Sequence, residues 1–157
     1  MVKLLLQLIQ LLFAGKPAAA QSIEPVVPER VYKISLLELN KLHFPTDPTI
    51  DANLLILLDR INQVRDAYGK PMTVTSGLRS DALQNSLIAR GISKATLSNH
   101  LTGSAVDILD EDGELHSWTE SNSELMEKIG LWMENRQGPW QHYQIVPPHS
   151  GNRWFNP

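Results

Sequence analysis

Ser98-Asn99-His100-Leu101-Thr102-Gly103-Ser104-Ala105-Val106-Asp107 is the stretch that decides how this chain reads. It sets an imidazole and a carboxylate seven residues apart, with a glycine between them and an apolar run at its end. Two groups sharing a helix face would stand three or four positions apart. A spacing of seven suits a loop that turns at Gly103 and returns as a strand, on which Ala105 and Asp107 share one face and Val106 takes the other. Small residues at Gly103, Ser104 and Ala105 permit the close backbone approach that a compact site requires. Zinc takes nitrogen and oxygen ligands, and a catalytic zinc uses three protein ligands plus an open position for water. His100 and Asp107 are two candidates. His142, in the strand-like run Trp140-Gln141-His142-Tyr143-Gln144-Ile145, is the third. A single histidine or aspartate is ordinarily a surface residue, so the assignment depends on the whole string.

Composition narrows the alternatives. A chain of 157 residues suits a single domain with one sizeable core. A net charge of −3 and the lack of a basic stripe give no sign of a nucleic-acid partner. The sequence has no cysteine, so disulfides and thiolate ligands are excluded and any metal must use His, Asp or Glu.

The N-terminus stands apart. Lys3 precedes an apolar run from Leu4 to Ala14, and Ala18-Ala19-Ala20 follows. Those features describe a secretory signal peptide, and the run is shorter than the ~20 residues a membrane span needs. Against this, Lys3, Gln7 and Gln10 fall on one helix face, which suits an amphipathic anchor or an associating helix. The organisation expected is therefore an apolar helix over 1–20, a proline-containing linker over 21–30 and one domain over 31–157. The protein is then periplasmic or secreted if the first segment is a signal. Otherwise it is virion-associated or membrane-anchored, with residues 4–14 contacting a membrane or phage particle.

Within the domain, Val31 to Ile34 predicts a short strand, and Ser35 with Glu38 forms a capping box for Leu36 to Leu42. Leu54, Leu55, Leu58, Ile61 and Val64 recur at helical spacing from Ile50 to Tyr68, and Gly69 stops that helix. Such a stripe reads as core. Strands are expected at Met72–Thr75, Ala105–Leu109, Leu131–Glu134 and Gln141–Val146, with further helices over Asp81–Ala89 and Trp118–Ile129. Asp110-Glu111-Asp112-Gly113 reads as a hairpin turn and is too short for a calcium loop. The fold class is α+β: a small antiparallel sheet carrying the metal site, packed with about three helices.

Three pieces occur in order: Ser76-Gly77-Leu78-Arg79-Ser80, then Ser98 to Asp107, then Trp140-Gln141-His142. Together they resemble the motifs of the M15 peptidases, the zinc D-Ala-D-Ala carboxypeptidases and L-alanyl-D-glutamate endopeptidases of bacteria and phages. Those enzymes share a fold with the hedgehog signalling domain. The resemblance runs from about Val31 to the C-terminus. It implies Zn2+ on His100, Asp107 and His142, a substrate in the peptidoglycan stem peptide, and a phage-type endolysin as the nearest kind. Zinc lowers the pKa of a bound water to about 7, and a nearby carboxylate then takes its proton.

Many M15 enzymes carry an acidic residue three positions before the last histidine, where this chain has Pro139. Glu134 is the nearest acid upstream and is the candidate base, with Glu127 and Glu124 as fallbacks. The resemblance gives Arg79 a role in binding substrate or stabilising developing charge; a surface pairing with Asp81 is the plain alternative. Ser98 shapes the loop or contacts substrate, and Trp140 lines the cleft or the core. His149 is a rival third ligand outside the strand pattern, and His43 and His116 read as surface residues. Two functions follow. One is a peptidase of the bacterial wall, cutting L-alanyl-D-glutamate or D-Ala-D-Ala bonds. The other is a non-catalytic, zinc-containing wall-binding or phage structural module.

Overall fold

A computed structural model describes residues 33–156. The apolar N-terminal segment and the linker lie outside the described residues, as do Val31 and Tyr32. Lys33 and Ile34 are not in a strand. Instead the Ile34 backbone exchanges hydrogen bonds with the Asn62 carboxamide at 2.8 and 2.9 Å, which seats buried Ile34 against the long helix.

Local signals in the sequence set most of the helices. Ser35 and Glu38 form the capping box of α1 (Leu36–Leu39), which is shorter than its apolar run suggests. Helix α2 spans Pro48–Tyr68. It starts two residues before Ile50 because Asp47 accepts from the Thr49 and Ile50 amides, and because proline is favoured in a first turn. Gly69, at φ 71°, closes it. After β1 (Val74–Ser76), Ser80 caps α3 (Asp81–Ala89). A 3₁₀ turn (Asn99–Thr102) then leads into β2 (Ala105–Leu109) through Gly103 at φ 68°.

The stretch 110–129 departs from expectation. Asp110–Gly113 is not a hairpin turn. Asp110 is buried, and its carboxylate accepts from the Leu115 and His116 amides at 2.9 and 3.1 Å. The segment therefore opens a helix, α4 (Glu114–Ser121), which a break at Asn122 separates from α5 (Ser123–Ile129). The single helix expected over Trp118–Ile129 is thus two, and the described residues hold five α-helices where about three were expected.

The sheet is completed by β3 (Trp132–Glu134), β4 (Trp140–Gln144) and β5 (Trp154–Phe155), in the order β1-β2-β4-β3-β5. It is mixed, not purely antiparallel, because β5 runs parallel to β3. The class is α+β, as read from the sequence.

Alternation along the strands divides the sheet into two faces. Val106, Ile108, Met133 and Tyr143 enter the core with Leu54, Leu57, Ile61 and Val64 of α2, Leu115 of α4, and Met126 and Ile129 of α5. Asp107, His142 and Glu134 alternate with those core positions and belong to the opposite face. Among the described residues no helix is long and apolar enough to cross a membrane.

Candidate metal centre and active site

Strand register builds the centre. Asp107 pairs with His142 across β2 and β4, and Ser76 pairs with Asp107 across β1 and β2. Trp132 pairs with Gln144 and Met133 with Tyr143 across β3 and β4. One more step of that register sets Glu134 level with His142, and Glu134 is itself paired with Phe155. Ser76, Asp107, His142, Glu134 and Phe155 thus form one row across five strands.

His100 reaches this row from the 3₁₀ turn. His100, Asp107 and His142 are all buried, with one ligand atom from each lying within 4.8 Å of the others. The His100 and His142 rings meet edge to face, with centroids 5.2 Å apart.

The chemistry of this donor set fits a metal. His100 Nδ1 lies 2.8 Å from the Gly77 carbonyl oxygen. A carbonyl only accepts, so Nδ1 carries the proton and Nε2 presents its lone pair to Asp107 Oδ2, 3.3 Å away. Gln144 fixes the other ring. Its Nε2 donates to the Val146 carbonyl at 2.6 Å, so its Oε1 faces His142 Nε2 at 3.2 Å and Asn99 Nδ2 at 3.0 Å. His142 Nε2 then holds the proton, and Nδ1 is aimed at Asp107 Oδ1, 2.7 Å away.

Two imidazole lone pairs therefore point at carboxylate oxygens, which are also electron-rich. Only a positive charge between them, from protons or a metal ion, makes that arrangement favourable. Such outer partners for each ligating imidazole are a recurring property of metal sites.

The same geometry shifts proton affinities when no metal is present. Burial alone would raise the Asp107 carboxyl, but His100 and His142 outweigh it and hold it well below the usual carboxylate range. Burial lowers His100. Burial also opposes the charge of His142, yet its bond to Asp107 and the nearby Glu134 carry it above the ordinary imidazole value. Burial raises Glu134, with His142 and Arg79 opposing.

Arg79 does not pair with Asp81. Its guanidinium donates from Nη2 to Asp107 Oδ2 at 2.7 Å, from Nε to Ser76 Oγ at 2.8 Å, and from Nη1 to Gln84 Oε1 at 3.1 Å. Three of the five N–H donors of a guanidinium are thereby used. Ser98 caps the 3₁₀ turn, its hydroxyl accepting from the His100 amide at 3.4 Å. Trp140 is half-buried, two residues from His142 on the same strand face, and its ring packs on Gly138.

Glu124 and Glu127 are exposed on α5. His149 and His43 are exposed and lie outside the ligand group. His116 is not a surface residue: it is half-buried, with Nδ1 2.6 Å from Gln141 Oε1 and its ring against Trp154.

Four partners escaped the sequence reading: Gln144, Gln84, Ser76 and Phe155, whose ring meets His142 edge-on at 6.4 Å. Gln144 had a readable signal, since position i+2 on the strand carrying His142 shares its face.

Against known proteins, the family model Peptidase M15 matches residues 34–137, and the chain belongs to that family. The matched span holds Arg79, His100, Asp107 and Glu134 and stops short of His142. Among solved structures, the chain is similar to the L-Ala D-Glu endopeptidase ChiX of Serratia marcescens, with 21% sequence identity and a TM-score of 0.49. That likeness covers 73% of this chain and 99% of the other. No curated protein matches the sequence.

Proposed function

We propose that this domain is a zinc-dependent peptidase that hydrolyses the stem peptide of bacterial peptidoglycan, at the L-alanyl-D-glutamate bond or, as the alternative, at terminal D-Ala-D-Ala. One observation carries the reading. In a chain of a peptidase family, three ligand atoms converge beside a carboxylate on the neighbouring strand. His100 Nε2, one Asp107 oxygen and His142 Nδ1 would hold the ion. Zinc bound there would supply a Lewis acid and lower the pKa of water to about 7.

The remaining work falls to side chains of this protein. Glu134 takes a proton from the attacking water and returns it to the leaving amine. Its burial supports the second half of that task, since a raised carboxyl holds a proton longer. Arg79 holds Asp107 in place and offers its remaining N–H groups to a substrate oxygen. Ser98 shapes the turn that carries His100, and Trp140 flanks the cleft.

Pro139 favours the rival reading of a non-catalytic wall-binding or phage structural module. The level position of Glu134 beside His142 supports the peptidase instead. The experiment is a digest of purified peptidoglycan with product masses read with and without a zinc chelator, on the parent and on Glu134→Gln. Chelator-sensitive fragments that identify one bond, with turnover lowered at least ~100-fold in the variant while zinc is retained, are expected. Unchanged turnover in the variant would remove Glu134 as the base. An intact wall with zinc bound to the parent would favour the module.

A further inference from the structure

Gln84 is 1% exposed, and its whole carboxamide is committed. Oε1 accepts from Arg79 Nη1 at 3.1 Å, while Nε2 donates to Ser93 Oγ at 2.9 Å and to the Ala95 carbonyl at 2.7 Å. The orientation is unambiguous, because a guanidinium only donates and a carbonyl only accepts. Ser93 Oγ in turn accepts from the Ala95 amide at 3.3 Å, closing a small turn over residues 93–95. That turn lies in the segment 91–97, which exposes Ile92 and Leu97 at 50% and 92% and runs directly into Ser98 and the His100 turn.

We propose that Gln84 is a positioning residue of this site, holding the Arg79 guanidinium flat against Asp107 and joining it to the 93–95 turn. An arginine side chain has several rotatable bonds. Its Nη2 bond to Asp107 needs the guanidinium plane fixed, and Ser76 on Nε and Gln84 on Nη1 are the two anchors that fix it. Without Gln84, one buried N–H of Arg79 has no acceptor, and the guanidinium rotates toward water. The turn loses both bonds to the same carboxamide, so loop and guanidinium stop moving as one body. This inference uses the peptidase reading only where turnover is measured.

The test has one arm that needs no activity. In zinc-loaded, full-length protein labelled with ¹⁵N, hydrogen exchange of the Arg79 Nε–H is measured by NMR for the parent, Gln84→Met and Gln84→Glu. The methionine variant removes the acceptor, and exchange is expected to quicken about tenfold, the equivalent of one buried hydrogen bond. The glutamate variant keeps an acceptor for Nη1 and loses only the donors to the turn, so its Arg79 exchange should stay within about twofold of the parent. Equal exchange in the parent and both variants, or equal acceleration in both variants, overturns the proposal.

The second arm is a double-mutant cycle on kcat/KM for a stem peptide. Gln84→Met alone should lower kcat/KM about tenfold, chiefly through kcat, and should cost less than about twofold when Arg79→Ala is already present. Additive losses overturn the proposal. If the parent cuts no stem peptide, the peptidase reading fails, and the exchange measurement still decides the role of Gln84.

Discussion

Gly77→Ala links the fold to the centre by a single methyl group. A Cβ at Gly77 would lie 2.1 Å from the Leu39 carbonyl oxygen and 2.7 and 2.8 Å from its C and Cα. All three atoms are backbone, so no rotamer change relieves the clash. One side must retreat by roughly 1 Å to reach ordinary contact. The segment is held on both flanks: the Leu78 amide donates to Leu39 O at 2.7 Å, and Gly77 O accepts from His100 Nδ1 at 2.8 Å. A shift of about 1 Å would stretch one of these beyond hydrogen-bond length.

Overpacking costs about 1–3 kcal/mol and the lost buried bond about 1 more. The sum of about 3 kcal/mol should lower Tm by roughly 10 °C in a domain of this size. If the His100 side yields, zinc affinity should also fall by about 10–100-fold, the usual effect of losing an outer partner of a ligand. Gly69→Ala is the control. Nothing lies within 4 Å of its added Cβ, and the cost is the φ of 71° alone, about 1–2 kcal/mol with zinc affinity unchanged. Thermal melts and competitive zinc titration of both variants check this. A Gly77→Ala protein that melts within about 2 °C of the parent and binds zinc equally would refute the reasoning.

Other expectations follow from the same contacts. Gln144→Met keeps the size of a residue 3% exposed but removes the acceptor for His142 and Asn99, so zinc affinity should drop about 10–100-fold in a competitive titration. Chelation should lower the melting temperature, since an ion present at 1,000 times its Kd stabilises by about 4 kcal/mol; an identical Tm before and after would argue against a native ion. Burial raises the Tyr143 hydroxyl well above the usual phenol value, with its bond to Thr119 opposing. A raised folded-state value gives stability that is complete below the unfolded phenol pKa of about 10 and declines as pH rises past it. In urea melts from about pH 8 to pH 11, the decline should be shallower in Tyr143→Phe than in the parent, and parallel curves would exclude Tyr143 as the source.

What could be read from the sequence was mostly local. His100, Gly103 and Asp107 sit in one ten-residue string, so spacing and a glycine turn were enough to bring two candidate ligands together. The capping box at Ser35 and the helix stop at Gly69 are equally short-range, and both stand in the structure. What was hidden depends on pairing across the chain. Arg79 meets Asp107 across 28 positions, and no local pattern distinguishes that partner from Asp81. Strand β5 is only Trp154–Phe155, too short for any alternation to announce it or its parallel direction. At Asp110 the turn signal was real, but the buried carboxylate accepts two helix amides, and capping outweighed the hairpin. Glu134 lay between these cases, since its strand was legible and its register was not.

That register is where stability and chemistry meet. Met133 and Tyr143 are fully buried and pair with each other across β3 and β4. Tyr143 is also pinned by its hydroxyl, 2.6 Å from Thr119 Oγ1 on α4. Because side chains alternate with a period of two, the positions after Met133 and before Tyr143 must fall on the other face. Those positions are Glu134 and His142. A slip of β3 by one residue would bring Glu134 into the apolar core and expose Met133, and the same slip of β4 would do this to His142 and Tyr143. Each buried large side chain is worth about 1.5–3 kcal/mol, so such a slip is strongly opposed. The core therefore sets the face and level of Glu134 beside His142, and the base proposed here needs no acidic residue at Pro139.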